Sequence, residues 1–372
     1  MKVVHVVWSL ALGGIETMLV NIANAQTREG AEVSVIIIND LYDESLVRSF
    51  NDKAKLVFLH RKLHSHNLVF MLKLNQVLKH LTPDVIHLHS SRIYKVIFDR
   101  NLRSRVLVTL HDLPKGTIRP SGLFYRIFPF LSVCKPGIVR FIDEVPRITS
   151  ISEAVKKSLW ENYGIPSSVI CNGIRTTDFA IRKQAPCSSP LRIVQVSRLA
   201  HEKKGQDLLI QAISQLNGKA EAYFIGEGGS LEYLKRLATE LGVENYVHFL
   251  GKRTQQDYIV HHLCDYDLFV QPSRYEGFGL TVAEAMAAQV PVLVSAGQGP
   301  AEVTCGNKYG WLFENGNVDD LACMIDHIQR HYADALYKAK EAYRYVVDNY
   351  DVAITAKKYL KEYKTIKDNH LK

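Results

Sequence analysis

The stretch Pro272-Ser273-Arg274-Tyr275-Glu276-Gly277-Phe278-Gly279-Leu280-Thr281-Val282-Ala283-Glu284-Ala285-Met286-Ala287 decides how this chain is read. It follows the apolar run Leu268–Gln271, which predicts a buried strand, and from Leu280 onward it predicts a helix. Glu276 then lies in the connecting loop. Gly277 and Gly279 let backbone approach a ligand closely. The free N–H groups at the start of the helix point back toward the carboxyl end of the strand and favour an anion there. Glu284 lies one turn into the helix, at the same end. Two carboxylates beside an anion site need a reason. Sugar hydroxyls supply one, because an ionised carboxylate only accepts hydrogen bonds.

The same strand–loop–helix rhythm extends in both directions. Apolar runs at 3–8, 33–38, 85–88, 106–110, 148–150 and 169–171 predict strands. Helical spacing appears at 15–25, 70–81 and 152–163, the last with Ser152 as its N-cap. Residues 180–190 are mostly polar, carry two prolines and read as a linker. Beyond them strands at 193–196, 220–225, 247–250, 268–271 and 292–295 alternate with helices at 206–216, 231–241, 254–264 and 280–287. After residue 318 the chain reads as helical. At 372 residues it is too long for one ordinary core. The fold class is therefore α/β, with two doubly wound, Rossmann-like domains of parallel strands, 1–180 and 188–349, facing a cleft. A final helix over about 350–372 is expected to pack back on the first domain.

Several pieces stand in a fixed order and resemble a known family. Glu276 and Glu284 reproduce the E-x7-E spacing of the retaining glycosyltransferases of family 4, which have the GT-B fold. Gly13-Gly14-Ile15-Glu16 resembles that family's N-terminal glycine turn, and His87-Leu88-His89-Ser90 and Thr109-Leu110-His111-Asp112 its two histidine-bearing strand ends. Val196-Ser197-Arg198-Leu199-Ala200-His201-Glu202-Lys203-Lys204-Gly205 resembles the start of its second domain. The likeness spans about 5 to 315. It implies a nucleotide-diphosphate sugar as donor, held by Gly13, Gly14, Arg198, Lys203, Lys204, Glu276, Gly277, Phe278, Gly279, Leu280 and Glu284. It also implies a sugar or lipid-linked sugar acceptor on the first domain. Glu276, His111, Arg198 and Lys204 are the implied catalytic residues. Glu276 orients the donor sugar, Glu284 holds ribose hydroxyls, and the two cations neutralise the departing diphosphate. Two lysines stand where the family usually has one, and adjacency to Gly205 favours Lys204 over Lys203. Cys171, Arg175 and Gly297-Gln298-Gly299-Pro300-Ala301-Glu302 depart from the family pattern. An assembly step of a bacterial surface polysaccharide is the implied setting. A nucleotide-sugar 2-epimerase or hydrolase on a similar scaffold is the rival reading.

No cofactor and no metal are expected. Asp265-Tyr266-Asp267 has DxD spacing, but it enters the strand 268–271 at the end away from the proposed site and reads as a polar turn. The glycine turn at 13–14 is not GxGxxG, which argues against a dinucleotide. Six cysteines without CxxC spacing read as reduced thiols of a cytoplasmic protein. The apolar start is short, interrupted by His5 and without a cleavage site, so a strand is expected there and not a signal peptide. The net charge of +8 is carried by residues 1–180, with 23 Lys and Arg against 15 Asp and Glu. Nucleic acid is disfavoured, because no basic helix or aromatic platform appears. An anionic membrane surface is favoured, on Arg92, Lys95, Arg100, Arg103, Arg105, Lys115, Arg119 and Arg126 interleaved with Tyr94, Phe98, Phe124, Tyr125, Phe128 and Phe130. Peripheral association with the inner face of the cytoplasmic membrane is the matching location.

Overall fold

In a computed structural model, residues 1–11, 13–65, 67–114, 142–183, 185–253 and 258–370 are described. The chain divides into two units, Met1–Gly173 with Val352–Lys372, and Ile174–Asp351. Each is built on one parallel sheet.

The first unit has seven strands: β1 (Lys2–Val7), β2 (Glu32–Asn39), β3 (Lys55–Arg61), β4 (Val85–Leu88), β5 (Val106–Leu110), β6 (Arg147–Ser150) and β7 (Ser168–Val169). Their order is β3-β2-β1-β4-β5-β6-β7, and all pairs are parallel. Strands β1, β4 and β5 are buried along their whole described length apart from Lys2. That explains their continuous Val, Ile and Leu runs, because helices cover both faces of a parallel sheet. The helix Gly14–Arg28 follows β1. The helix Glu153–Tyr163 is capped by Ser152, whose hydroxyl accepts from the Val155 amide at 3.1 Å. The C-terminal helix Val352–His370 packs against Gly14–Arg28, with Tyr359 and Tyr363 fully buried.

The second unit has six parallel strands: β8 (Leu191–Val196), β9 (Ala220–Ile225), β10 (Val247–Phe249), β11 (Leu268–Gln271), β12 (Val292–Ser295) and β13 (Trp311–Phe313), ordered β10-β9-β8-β11-β12-β13. The helix Gln206–Gln215 packs against Val318–Arg330, and Leu280–Ala287 against Tyr332–Tyr350. In both sheets the order reverses once, between β1 and β4 and between β8 and β11. In open α/β sheets, ligand crevices form at the carboxyl ends of the strands at such reversals.

Three expectations need correction. The division falls at 173/174 and not in 180–190. Residues 174–187 belong to the second unit because Ala180 N donates to Val260 O at 2.9 Å and Arg182 pairs with buried Asp267. Strands β3 and β13 have no counterpart in the sequence reading. Both are sheet edges with half-exposed residues, so their apolar runs are short or interrupted. The helix expected over 254–264 is helical throughout its described part but irregular, π-helical at 258–259, α-helical at Val260–His262 and 3₁₀ at Leu263–Asp265.

The basic-aromatic cluster is also changed. Tyr94 is buried, Lys95 pairs with Glu144, Arg92 lies 5.3 Å from the Trp8 ring centroid, and Arg105 donates to Pro83 O at 2.9 Å. Phe98 and Arg100 are exposed. Lys115, Arg119, Phe124, Tyr125, Arg126, Phe128, Phe130 and Cys134 lie outside the described residues. Cys171, Cys187, Cys264, Cys305 and Cys323 are free thiols.

Candidate active site

At the β8/β11 reversal two loops meet. The first leaves β8 through Ser197, Arg198 and Leu199, makes the short helix His201–Lys204, and turns at Gly205. Gly205 adopts φ +67°, and a Cβ there would stand 1.9 Å from the Pro272 carbonyl oxygen, so only glycine lets the loops come this close. The second loop, 272–279, leaves β11. Its Arg274 and Tyr275 amides donate to the Lys203 carbonyl at 2.9 and 3.3 Å. The Arg274 guanidinium grips Asp207 with two bonds of 2.9 and 2.8 Å and reaches His201 O at 2.9 Å. A forked, charge-assisted pair of this kind fixes geometry as well as adding energy.

Within that frame the Lys204 ammonium pairs with the Glu276 carboxylate, both side chains about one-fifth exposed. Gln195 donates to Lys204 O at 2.8 Å, and Gln206 donates to Ser197 Oγ and Arg198 O, each at 2.9 Å. Arg198 is exposed at the mouth of the β8 loop. The structure thus brings Lys204, not Lys203, onto Glu276. Lys203 contributes its carbonyl to the loop junction.

The helix Leu280–Ala287 begins at Gly279, which is in the left-handed region at φ +103°, a conformation that only glycine adopts cheaply. Gly277 and Phe278 are buried, Phe278 edge-on to Tyr350 at 5.5 Å. A third loop, after β12, closes the arrangement. Gln298 Oε1 accepts from the Glu276 amide at 3.3 Å, and the Gly299 amide donates to the Glu276 carbonyl at 3.0 Å. The departure from the family pattern at 297–302 therefore supports the Glu276 loop directly.

Glu284 differs from the expectation of an ionised carboxylate. It is 7% exposed, and burial pushes its carboxyl up to about 8. At pH 7 it is therefore mostly a neutral acid, able to donate as well as accept.

In the first unit, Gly13 and Gly14 are exposed where the helix Gly14–Arg28 starts. Gly13 is extended there, and the Glu16 carboxylate lies 2.6 Å from the place of a Gly13 Cβ. His111 stands just past β5. Burial lowers it to about 4 against the raising effect of Asp112. Asp265 and Asp267 do not converge. Asp265 bonds His262 at 2.8 Å, whereas Asp267 is enclosed by Arg182 and the Ser188 and Arg192 amides. Among the described residues, His5, His87 and His89 form a group with ring nitrogens within 4.8 Å of one another. Each of their nitrogens is already in a hydrogen bond, which a bound metal ion would have to break. Asp207 and Gln298 were not legible as site residues, since their partners Arg274 and Glu276 lie 67 and 22 residues away, and Gln195 and Gln206 were not, since they act by holding the backbone of the β8 loop.

Two consecutive family models cover the chain. Residues 12–178 match the model described as Glycosyltransferase Family 4, and residues 177–344 the model described as Glycosyl transferases group 1. The chain belongs to the glycosyltransferases of family 4. This glycosyltransferase is 27% identical to an uncharacterized glycosyltransferase of Methanocaldococcus jannaschii, over 98% of each chain. It is 25% identical to the lipopolysaccharide core biosynthesis glycosyltransferase LpsE of Rhizobium meliloti, over 85% of each. Among solved structures, Anabaena HepE in complex with UDP and glucose superposes with a TM-score of 0.77 at 20% identity, covering 98% of the glycosyltransferase and 100% of HepE. That likeness is one of fold, two Rossmann-like sheets of the GT-B class. The two relatives named are glycosyltransferases, and the epimerase alternative finds no support in these comparisons.

Proposed function

We propose that this glycosyltransferase moves a hexose from a nucleotide-diphosphate sugar to a sugar or lipid-linked sugar acceptor, with retention of anomeric configuration, in the assembly of a bacterial surface polysaccharide. One observation carries the reading: the Lys204–Glu276 pair stands at the β8/β11 reversal, beside exposed Arg198 and the start of the helix that holds Glu284. In the donor complex Lys204 exchanges Glu276 for a phosphate oxygen, and Arg198 takes the other phosphate. Glu276 is then free to orient sugar hydroxyls, and Glu284 binds ribose hydroxyls. His111, Gly13 and Gly14 are the candidate substrate-contacting residues of the first domain. The acceptor hydroxyl attacks the anomeric carbon on the face from which the diphosphate leaves, and its proton passes to the leaving phosphate oxygen. Charge growing on that diphosphate is what the two cations stabilise. No cofactor or metal is assigned a step. HepE was solved in complex with UDP and glucose, which makes UDP-glucose the first donor to try.

The test is thermal unfolding with UDP-, GDP- and ADP-hexoses. One donor should raise the Tm, and Glu284→Ala should weaken that donor by about 1–3 kcal/mol. No shift with any nucleotide sugar, or wild-type affinity in the variant, sinks the donor assignment.

The first unit is proposed to work at an anionic membrane surface, on the cytoplasmic side. Exposed Val69, Leu72 and Phe98 line an apolar groove of about 400 Å³, with exposed Lys73 and Arg100 close to them in sequence. Apolar contacts rimmed by cations suit anionic lipid. No helix among the described residues is long and apolar enough to cross a membrane. Sedimentation with anionic liposomes should occur at low salt and fade at high salt. Equal binding to neutral vesicles removes this part of the reading.

A further inference from the structure

Three histidines of the first sheet form a row of direct ring-to-ring hydrogen bonds. His5 lies in β1, His89 just past β4 and His111 just past β5. His5 Nδ1 meets His89 Nε2 at 3.1 Å, and His89 Nδ1 meets His111 Nε2 at 2.9 Å. At the inner end, His5 Nε2 meets Gln26 Oε1 at 2.8 Å. At the outer end, His111 Nδ1 is buried and has no hydrogen-bond partner among the described residues.

A bond between two neutral imidazoles needs one N–H and one lone pair. The direction of the first bond therefore sets all the others. The Gln26 carbonyl faces His5, because its amide nitrogen donates to the Tyr363 hydroxyl at 3.2 Å. Tyr363 then donates to His87 Nδ1 at 2.7 Å, and His87 Nε2 donates to Thr109 Oγ1 at 2.7 Å. Tyr359 donates to Thr109 at 2.9 Å, Thr109 donates to Thr149 at 2.7 Å, and Thr149 ends on the Val108 carbonyl at 3.5 Å. Every hydroxyl and imidazole proton in this branch has an acceptor. With the Gln26 oxygen on His5, that ring carries its proton on Nε2. His89 and His111 must carry theirs on Nε2 as well. A cationic His5 or His89 would set two N–H groups against each other, and burial opposes charge on all three rings, lowering His5 and His111 to about 4 and holding His89 well below its ordinary value. The charged group acting on His111 is Asp112, whereas His89 feels the neighbouring histidines.

We propose that Gln26, His5 and His89 are positioning residues that lock His111 as its Nε2–H tautomer, so that Nδ1 presents a fixed, buried lone pair as an acceptor for a substrate hydroxyl. The proposal rests on the role assigned to His111 above. A buried acceptor without a partner costs free energy that an incoming O–H donor recovers, whereas a carbonyl or ether oxygen at that place does not. Tyr363, on the C-terminal helix, orients the Gln26 amide. The identity of a side chain near the carboxyl terminus thereby sets the hydrogen-bonding sense of a residue past β5.

The test is long-range ¹H–¹⁵N correlation on the full chain with ¹⁵N-labelled histidine, which reads the protonated nitrogen of each ring. Wild type should show His111 as a single Nε2–H tautomer. Gln26→Met should give mixed tautomers at His111 and lower kcat for UDP-glucose turnover by about tenfold or more, with KM little changed. Gln26→Glu, which keeps an oxygen acceptor, should restore the single tautomer. Should Gln26→Met fail to fold, Tyr363→Phe removes one hydroxyl and should shift the tautomer in the same direction. The proposal is overturned if wild-type His111 is protonated on Nδ1 or on both nitrogens. It is also overturned if His111 stays a single Nε2–H form in both Gln26→Met and Tyr363→Phe. A correct tautomer pattern combined with full turnover in His111→Gln would instead remove His111 from the proposed function and leave the row's control of its tautomer standing.

Discussion

The two sheets reverse their strand order once each, and the chemistry at the two reversals is opposite. Next to β1 and β4 the first unit buries histidines kept neutral and hydrogen-bonded to one another. Next to β8 and β11 the second unit keeps full charges, with Lys204 on Glu276 and Arg274 on Asp207, and one buried neutral carboxyl, Glu284. The same backbone plan thus supports a dry row of dipoles in one unit and a partly exposed set of ions in the other. The difference comes from burial. The first cluster lies under the C-terminal helix, where charge costs most. The second lies at the loop surface, where cations stay solvated until an anion arrives.

That contrast predicts opposite pH responses, beginning with the largest. Glu284 is raised from 4.5 to about 8, so its neutral form stabilises the fold fully below pH 4.5, and this is lost as pH rises to 8. Without donor, Glu284→Gln should stabilise the protein at pH 8 by roughly 4 kcal/mol and flatten the decline, measured by urea unfolding across pH. A variant no more stable than wild type would mean that the carboxyl is already ionised in the folded protein.

Arg198→Ala and Lys204→Ala should each lower kcat by about 10²–10³, roughly 3–4 kcal/mol, and weaken donor binding less. Loss confined to Lys203→Ala would show the lysine choice to be wrong. Activity should survive excess EDTA, and a strict metal requirement would bring Asp265 and Asp267 back into consideration.

His5 runs the other way. It is lowered from 6.5 to about 4, so its contribution is present above pH 6.5 and is lost as pH falls to 4. Acid should therefore cost the first unit roughly 3 kcal/mol through this ring alone. His5→Gln should remove much of that slope, and an unchanged acid limb would show that the row is already charged. The smallest effect is a control away from both reversals. Ser152→Ala should cost about 1 kcal/mol by removing the N-cap, with kcat unchanged.

Strand and helix positions near the middle of each sheet were legible because burial on both faces writes itself as an unbroken apolar run. The edge strands β3 and β13 were not, since one side of each is solvent and the run breaks up. The Glu276 and Glu284 spacing was equally legible, being a local relation between a loop and the helix it feeds. The sense of Glu284's charge was not, because depth below the surface is not a local property.

The sequence alone determined the two α/β units, the loop that carries Glu276, and family membership, all of which follow from near-neighbour patterns and their order. Only the tertiary structure decided that Arg274 grips Asp207, that Gln298 supports Glu276, and that Gln26 bonds Tyr363. Those partners are 22 to 337 residues apart along the chain. Parallel crossovers and the return of the C-terminal helix bring them together, and nothing in the intervening sequence encodes the meeting.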